Sequence, residues 1–165
     1  MIKAILASTT NGGIGNRGTL PWPKNSADLK WFREHTENNI VVMGRNTWDD
    51  PKLPKPLPNR VNCVVSNRVV NNTSVRRLSG DIKEQVKLLQ SQFPSKDIYI
   101  IGGKQLFDEC ADIIEQVIWT RIKGPYFTDV RIELDRFLAG FRIISVKAER
   151  ELSYEIWKRD IYFDV

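Results

Sequence analysis

The chain has 165 residues, of which 41% are hydrophobic and 27% are charged, and it carries a formal net charge of +5. This length fits one compact domain with a sizeable core, and the composition is that of an ordinary soluble globular protein. No apolar run approaches the roughly 18 residues that a membrane-spanning helix needs, which argues against a membrane protein.

The net charge is concentrated in residues 45–77, which contain seven basic and two acidic residues and so account for all of it. A local basic patch on an otherwise balanced chain indicates an anionic ligand. The arginines alternate with strand and turn signals and lack the recognition helix or aromatic platform of a nucleic-acid site. We therefore expect a small molecule with phosphate or carboxylate groups, and no nucleic acid.

Cysteine and histidine usage argues against metal and triad chemistry. Cys63 and Cys110 lie in unrelated contexts without metal-binding spacing, which indicates buried thiols in a reducing compartment and predicts a cytoplasmic protein. The single histidine, His35, has no partners for a zinc site or a Ser-His-Asp triad. The N-terminal segment is too short for a secretory signal.

The first predicted elements are a strand over residues 2–7 and a helix over residues 27–36. Residues 9–18 link them in a long, glycine-punctuated loop. Such a loop is typical of a mobile lid, and equally of a plain flexible connection.

Asp28 is the most informative residue of this helix. At about 100° per residue, Leu29, Trp31 and Phe32 fall on its side of the helix. A carboxylate within an apolar arc is costly to desolvate, and burial raises its pKa, so such groups are typical of ligand binding or proton transfer. The alternative is a first-turn acid that faces the helix dipole and stays half in water.

The next strand, over residues 40–43, is followed by Gly44 and by a helix over residues 45–50 that opens with Arg45, Asn46 and Thr47. A glycine turn before a helix N-terminus favours phosphate, although Thr47 is equally suited to capping the helix. The segment after this helix contains four prolines between residues 51 and 58, so it is predicted to run extended.

A strand over residues 61–65 has polar groups at both ends. Arg60 precedes it, where a fixed guanidinium can clamp a carboxylate, and the alternative is a solvated surface arginine. Ser66, Asn67 and Arg68 follow it and suit a phosphate monoester, the alternative being a simple polar turn.

A helix over residues 82–93 leads to a strand over residues 98–101, the turn Gly102-Gly103 and a helix over residues 104–111. This second glycine turn matches neither a Walker A loop nor the G-x-G-x-x-G fingerprint. Two strand-to-helix turns of this kind nevertheless suggest a dinucleotide across the carboxyl edge of a sheet.

The remaining strands are predicted over residues 117–122, 141–146 and 155–163, with no helix between the last two. Strands that alternate with helices and are apolar on both faces predict a parallel sheet, and the last strands predict an antiparallel end. The fold class is therefore α/β: a single domain with a central, mostly parallel β-sheet, antiparallel C-terminal strands and about four flanking helices.

Seven short motifs, in order, resemble the dihydrofolate reductase family. They are Ile14-Gly15, Leu20-Pro21-Trp22, Asp28-Leu29-Lys30-Trp31-Phe32, Val42-Met43-Gly44-Arg45-Asn46-Thr47-Trp48, Pro56-Leu57-Pro58-Asn59-Arg60, Ile101-Gly102-Gly103 and Trp119-Thr120. The resemblance implies one such domain over residues 1–165, with an adenosine-binding subdomain at approximately residues 39–94. It also implies NADPH-dependent reduction of 7,8-dihydrofolate to 5,6,7,8-tetrahydrofolate.

The resemblance implies three catalytic positions. Asp28 would hydrogen-bond the amidine edge of the pterin and raise the basicity of N5, whose proton arrives through water. Thr120 would hydrogen-bond Asp28 or the pterin amino group, and Trp22 would order the nearby water. Hydride would pass from nicotinamide C4 to pterin C6, so the cofactor supplies the chemistry and the protein supplies alignment and electrostatics.

The resemblance also implies the binding residues. Those facing dihydrofolate or an antifolate would be Ile5, Ala7, Asp28, Leu29, Phe32, Leu53, Leu57, Arg60, Ile101 and Thr120, with Arg60 on the α-carboxylate. Those facing NADPH would be Ala7, Ile14, Gly15, Leu20, Gly44, Arg45, Asn46, Thr47, Ser66, Asn67, Arg68, Ile101, Gly102, Gly103, Lys104, Gln105, Leu106 and Phe107. The Gly102-Gly103 bond would be cis, and the protein would be a monomer or a weak homodimer.

The chain departs from the family pattern at several positions. Leu20 stands where the lid often carries Met, and Lys104 stands where a small residue is common. Gln105 replaces an arginine that some bacterial members place near the 2′-phosphate, so preference for NADPH over NADH rests on Arg45 and Arg68. Asp129 matches an acidic loop residue of the family.

Two other functions remain open at this point. One is a related pterin or pyrimidine reductase of the same fold, which would reduce an aminouracil ribitol phosphate. The other is a non-catalytic binding or structural module that keeps the fold, whose nucleic-acid binding would collapse with salt through counterion release.

Overall fold

The computed structural model describes residues 1–160. Within them, eight strands form one sheet and two short strands form a separate ribbon. In chain order the strands are β1 (Ile2–Thr9), β2 (Gly13–Gly15), β3 (Ile40–Gly44), β4 (Val61–Val65), β5 (Val75–Leu78), β6 (Ile98–Gly102), β7 (Gln116–Ile122), β8 (Val130–Arg131), β9 (Phe141–Ala148) and β10 (Leu152–Arg159).

The main sheet has the strand order β5-β4-β3-β6-β1-β7-β10-β9. Strands β5 to β7 in this order run parallel, while β10 is antiparallel to β7 and to β9. The predicted mostly parallel sheet with an antiparallel C-terminal end is thereby confirmed. The predicted strand over residues 155–163 corresponds to β10, and its last three residues lie outside the described part of the chain.

Five α-helices accompany these strands within residues 1–160, where about four were expected. They are α1 (Ser26–Thr36), α2 (Arg45–Asp49), α3 (Ile82–Gln92), α4 (Lys104–Cys110) and α5 (Leu134–Phe137), and a 3-10 turn at Ala111–Ile113 follows α4. Side-chain oxygens of Asn25 and Asp81 accept backbone N–H groups and so cap the starts of α1 and α3. The four predicted helices are present, and α5 is a single turn with no periodicity to predict it.

Two apolar layers cover the sheet. Helices α3 and α4 pack on one face through Val86, Leu89 and Phe107, against strand residues such as Ile100 and Trp119. The other face packs against α1 and α2. The apolar cluster on that face includes Trp31 and Phe32 of α1 and Trp48 of α2. The parallel strands are therefore buried on both faces, which explains their continuous apolar sequences.

The strand β5 was not predicted. Its sequence, Val75-Arg76-Arg77-Leu78, contains two adjacent arginines that interrupt any apolar run. The strand lies at the edge of the sheet, where Arg76 and Arg77 are exposed to solvent. Edge strands are only partly covered, so their sequences lack the apolar signal of central strands. No helix among residues 1–160 is both long and apolar enough to cross a membrane.

Candidate functional site

Helix α1 places Asp28 against the sheet, but its inward face differs from the predicted arc. The inward residues are Asp28, Trp31, Phe32, His35 and Thr36, the spacing expected of one helical face. Leu29, which the sequence analysis placed on the same side as Asp28, is not among them, because its side chain is 46% exposed. Helix geometry explains the difference, because Leu29 is rotated by about 100° from Asp28 and so leaves the packed face.

The carboxyl group of Asp28 is partly buried, and its pKa is raised from the ordinary value. Removal of the carboxylate from water is the larger cause, while a hydrogen bond with the Thr120 side chain lowers the pKa in opposition. Thr120 is fully buried on β7. The structure therefore brings together Asp28 and Thr120, two residues that the resemblance assigns to one site.

Aromatic side chains surround this carboxyl group. Trp31 stacks on Tyr154 with ring centroids 4.5 Å apart and meets His35 edge-on at 4.3 Å. Tyr154 lies on β10 directly across from Thr120. The indole nitrogen of Trp31 is buried and has no hydrogen-bond partner among residues 1–160. The aromatic group of Trp31, His35 and Tyr154, with one unused donor, therefore lies on the packed face of α1 that also carries Asp28.

Five of the predicted substrate-binding residues belong to one apolar cluster: Ile5, Phe32, Leu53, Leu57 and Ile101. Ala7 joins the adjoining cluster with Trp22, Trp31 and Tyr154. Its partner on β7 is Thr120, so the two clusters meet beside Asp28. The sheet and α1 together hold an apolar cluster with a carboxyl group at one end.

Arg60 lies at the other end of α1. Its Nη1 donates to the hydroxyl of Thr36 at 3.0 Å, and its Nε donates to the carbonyl of Pro58 at 2.9 Å. Because Asp28 and Thr36 are eight residues apart on one helix, about 12 Å separates them along the helix axis. The guanidinium is therefore held by two neighbours, which argues against a freely solvated side chain.

Asn62 was not predicted and organises the proline-rich segment before Arg60. Its Oδ1 accepts the N–H of Leu57 at 2.9 Å, and its Nδ2 donates to the carbonyls of Leu57 and Arg60 at 2.9 and 3.0 Å. The side chain is buried within β4. A polar residue inside an otherwise apolar strand was the available sequence signal, because such a group needs buried partners.

The two glycine turns lie side by side at the carboxyl edge of the sheet. Met43 pairs with Gly102 in the β3–β6 register. A Cβ on Gly44 would lie 3.6 Å from both the oxygen of Gly102 and the nitrogen of Gly103. The Gly102–Gly103 peptide bond is cis, as the resemblance implies. The expectation that both turns serve one site is consistent with this contact.

A cavity of about 500 Å³ opens where β3, β4, β5 and β6 end. It is lined by Gly44, Arg45, Asn46, Val65, Ser66, Asn67, Arg68, Ser79, Gly80, Ile82, Gly103, Gln105, Leu106 and Glu109. Nine of these were predicted as cofactor-binding. A Cβ on Gly103 would meet no atom within 4 Å, so the space beside this glycine at the rim of the cavity is open. Two guanidinium groups, a hydroxyl and open backbone fit the phosphates of a dinucleotide.

The other nine predicted cofactor-binding residues do not line this cavity, and three of them, Thr47, Lys104 and Phe107, have contacts that show what they do instead. Phe107 is buried under Gly102 and packs edge-on against Phe137 at 6.1 Å, so it supports the turn from the core. Lys104 pairs with Asp108 one turn further along α4. Thr47 is close to Gly102, whose ideal Cβ position lies 3.9 Å from the threonine hydroxyl.

The glycine-rich loop is held by the segment around Asp129. The N–H of Arg17 donates to the Asp129 carboxylate at 2.9 Å, and the N–H of Asp129 donates to the carbonyl of Gly15 at 2.9 Å. Strand β2 pairs with β8 next to these bonds. Ile14 is partly buried and Leu20 is 48% exposed, so the predicted lid combines an anchored base with an open tip.

Several lining residues were missed by the sequence reasoning. Ser79 and Gly80 follow β5, and they were missed because that strand was not predicted. Glu109 lies one helical turn after Gln105, a spacing that the helix period would have identified. Asp49 does not itself line the cavity, but it lies one helical turn after Arg45 on α2 and forms an ion pair with that lining residue.

The chain is similar in sequence to known proteins over most of its length. The family model described as dihydrofolate reductase matches residues 1–155. The chain is 32% identical to dihydrofolate reductase type 8 of Escherichia coli over 145 residues, which cover 85% of each protein. It is 33% identical to a dihydrofolate reductase of Ureaplasma parvum serovar 3, with 82% of this chain and 83% of the relative covered. It is also 34% identical to a bifunctional dihydrofolate reductase-thymidylate synthase of Paramecium tetraurelia, over 92% of this chain and 32% of that protein. The extent of these matches shows that the chain belongs to the dihydrofolate reductase family.

Proposed function

We propose that the protein is an NADPH-dependent dihydrofolate reductase that converts 7,8-dihydrofolate to 5,6,7,8-tetrahydrofolate. One observation carries the proposal: Asp28, with its raised pKa and its contact with Thr120, lies at the end of the apolar cluster between α1 and the sheet. We infer that the substrate-binding cleft lies along this cluster. A carboxyl group in that position can bind the amidine edge of a pterin, which offers two N–H donors to the two carboxylate oxygens.

The residues of the cleft would bind and orient dihydrofolate. Asp28 would accept hydrogen bonds from the pterin and assist proton delivery to N5 through water, with Thr120 holding the carboxyl group and Trp22 ordering the water. The residues of the cofactor cavity would hold NADPH, which would supply the hydride for C6 of the pterin. The protein then contributes alignment and a desolvated site instead of a nucleophile.

The far end of the cleft would bind the glutamyl tail of the substrate. Arg60 is fixed by Thr36 and Pro58, so its remaining donors are preorganised for a carboxylate. The backbone at Ile5 and Ile101 would face the pterin, while Leu53 and Leu57 would border the benzoyl group. The separation of about 12 Å along α1 supports a ligand with an aromatic head and a distant carboxylate.

The cavity at the carboxyl edge of the sheet would bind NADPH. Arg45, Asn46 and Thr47 would contact the pyrophosphate, and the cradle of Ser66, Asn67 and Arg68, with Arg45, would surround the 2′-phosphate. The glycine turns would lie close to the cofactor backbone, with Ala7, Ile14, Gly15 and Leu20 nearer the nicotinamide. We also propose that residues 39–94 approximately form the adenosine-binding subdomain.

The activity test is the absorbance at 340 nm of NADPH with and without dihydrofolate. Loss that requires dihydrofolate and stops with methotrexate would support the function and the cleft together. In the same assay, Asp28→Asn should lower turnover at neutral pH by about 100-fold or more, the lower range of acid-base contributions, and leave NADPH affinity nearly unchanged.

The matched control for this substitution is Glu34→Gln, which removes a carboxylate from the exposed side of the same helix. It should retain full turnover. Unchanged turnover in Asp28→Asn would remove Asp28 from its role. Turnover of an aminouracil ribitol phosphate in place of dihydrofolate would favour the related reductase, and absence of both turnover and cofactor binding would favour a binding module.

A further inference from the structure

A carboxylate of the chain itself stands between the two arginines of the cofactor cavity. The Nε of Arg45 donates to both oxygens of Asp49, at 3.2 and 3.1 Å. The Nη2 of Arg68 lies 4.0 Å from the same carboxylate. Asp49 therefore holds the position that an anion bound by both guanidinium groups would take.

The other donors of this corner are also engaged by the protein. The Nη1 of Arg45 donates to the hydroxyl of Ser66 at 3.3 Å and to the carbonyl of Val69 at 3.2 Å. The Ser66 hydroxyl accepts the N–H of Arg68 at 3.1 Å. Arg45, Ser66, Arg68 and Asp49 thus form one connected polar corner, and an anion entering it meets a negative charge already in place.

We propose that Asp49 is a specificity-determining residue that weakens binding of the 2′-phosphate and so reduces the preference for NADPH over NADH. This inference rests on the proposed function, because it assumes that the cavity binds a nicotinamide dinucleotide. A 2′-phosphate that enters the cradle of Ser66, Asn67 and Arg68 must displace Asp49 from the arginines or lie beside it. NADH carries no phosphate there and incurs no such cost.

The size of the effect follows from exposure. The side chains of Asp49 and Arg68 are 48% and 73% exposed, so water and salt screen their interaction. Exposed ion pairs are individually weak, and Asp49 interacts with two arginines, of which Arg45 is the nearer. Removal of its charge should therefore strengthen binding of a 2′-phosphate ligand by about threefold to tenfold.

The test compares Asp49→Asn with the unmodified chain by titration calorimetry, using ligands that differ only in the 2′-phosphate. The pairs are NADPH against NADH, and adenosine 2′,5′-bisphosphate against adenosine 5′-monophosphate. The substitution keeps the shape of the side chain and removes its charge. We expect tighter binding of the 2′-phosphate member of each pair by about threefold to tenfold, and a change of less than about twofold for the other member.

A control variant and a second background make the test specific. Asp135→Asn changes the net charge equally at the exposed first turn of α5, outside the cavity lining, and should leave all four affinities unchanged. In an Arg45→Gln background, Asp49→Asn should give a clearly smaller gain, because its main partner is gone. The gain should also shrink with added salt.

Each other result overturns the inference. Equal changes for both members of a pair would indicate a general effect on the cavity. Weaker binding of the 2′-phosphate ligands would indicate that Asp49 holds Arg45 in a binding position instead of opposing the phosphate. If the unmodified chain binds neither dinucleotide, the proposed function fails as well, whereas binding without a selective shift overturns the role of Asp49 alone.

Discussion

At the scale of single residues, Asp28 has opposing consequences for stability and for function. Burial raises the pKa of its carboxyl group, so the ionised form is disfavoured in the folded protein relative to the unfolded chain. The same desolvation would strengthen its hydrogen bonds to a bound pterin. A buried group that lowers the stability of the unbound protein and strengthens ligand binding is a common origin of a stability–activity trade-off.

This argument predicts that Asp28→Asn stabilises the ligand-free protein at pH 7, by about 1 kcal/mol. Because the folded pKa is raised, the folded state binds the proton more tightly, and the contribution of this group to stability falls as pH rises from the unfolded pKa of about 3.9 through the folded pKa. The difference in free energy of unfolding between Asp28→Asn and the unmodified protein should grow as pH rises between these two pKa values and then level off. Thermal unfolding between pH 4 and pH 8 measures it.

The control for this comparison is again Glu34→Gln, whose stability should stay close to that of the unmodified protein at every pH. A variant Asp28→Asn that is less stable than the unmodified protein at pH 7 would contradict burial as the larger cause of the shift. In that case the carboxylate would be stabilised by the start of α1, where Asp28 lies in the first turn.

At the scale of elements, the ribbon of β2 and β8 joins the glycine-rich loop to residues 128–132. A Cβ on Gly13 would lie 2.3–2.7 Å from three side-chain atoms of Thr128, too close for any L side chain without movement. The N–H of Ile132 donates to the carbonyl of Gly12 at 2.9 Å on the same ribbon. The glycine at position 13 is therefore a condition for the close approach of the two segments.

The prediction at this scale concerns Gly13→Ala. It should separate the loop from residues 128–132, destabilise the protein by about 1–3 kcal/mol through overpacking and lower turnover. Urea unfolding and the 340 nm assay measure the two effects. The cost of the alanine should fall sharply in a Thr128→Gly background, since the clashing atoms are then absent. An equal cost in both backgrounds would exclude this contact as the cause.

At the scale of the whole molecule, the antiparallel end of the sheet is joined to its centre by a largely buried ion pair. Arg121 on β7 contacts the carboxylate of Glu155 on β10 at 2.5 Å, and Trp157 donates to the same carboxylate at 2.9 Å. Arg121 also lies over the ring of Trp119 and donates to the carbonyl of Thr10 at 3.4 Å. The pair therefore connects β10, β7 and the start of the glycine-rich loop.

The corresponding prediction is that Glu155→Gln lowers the free energy of unfolding by roughly 2–3 kcal/mol, because it leaves a poorly solvated guanidinium without its counter-charge. Urea denaturation at two salt concentrations measures the loss, which salt should change little. The exposed pair of Lys87 and Glu84 provides the comparison. Glu84→Gln should cost less than about 1 kcal/mol. Equal losses in the two variants would contradict the importance of burial.

Local signals in the sequence were sufficient to predict most of the strands and helices. Apolar runs, glycine turns and proline positions act over a few residues, so they predicted the central strands, α1 to α4 and the positions of Asp28, Arg45, Arg60 and Gly102. The departures also have local causes. Leu29 was assigned to the wrong side of α1 because several apolar neighbours were grouped together, and β5 was missed because edge strands lack an apolar pattern.

By itself, the sequence determined the fold class, the glycine turns and the identity of the charged residues, because these depend on periodicity and backbone preference. Only the tertiary structure decided the strand order, the row that joins Ala7, Thr120 and Tyr154, and the position of Asp49 between Arg45 and Arg68. These features depend on contacts between segments far apart along the chain. Such contacts form only when the sheet assembles, since packing and desolvation act between surfaces and not along the sequence.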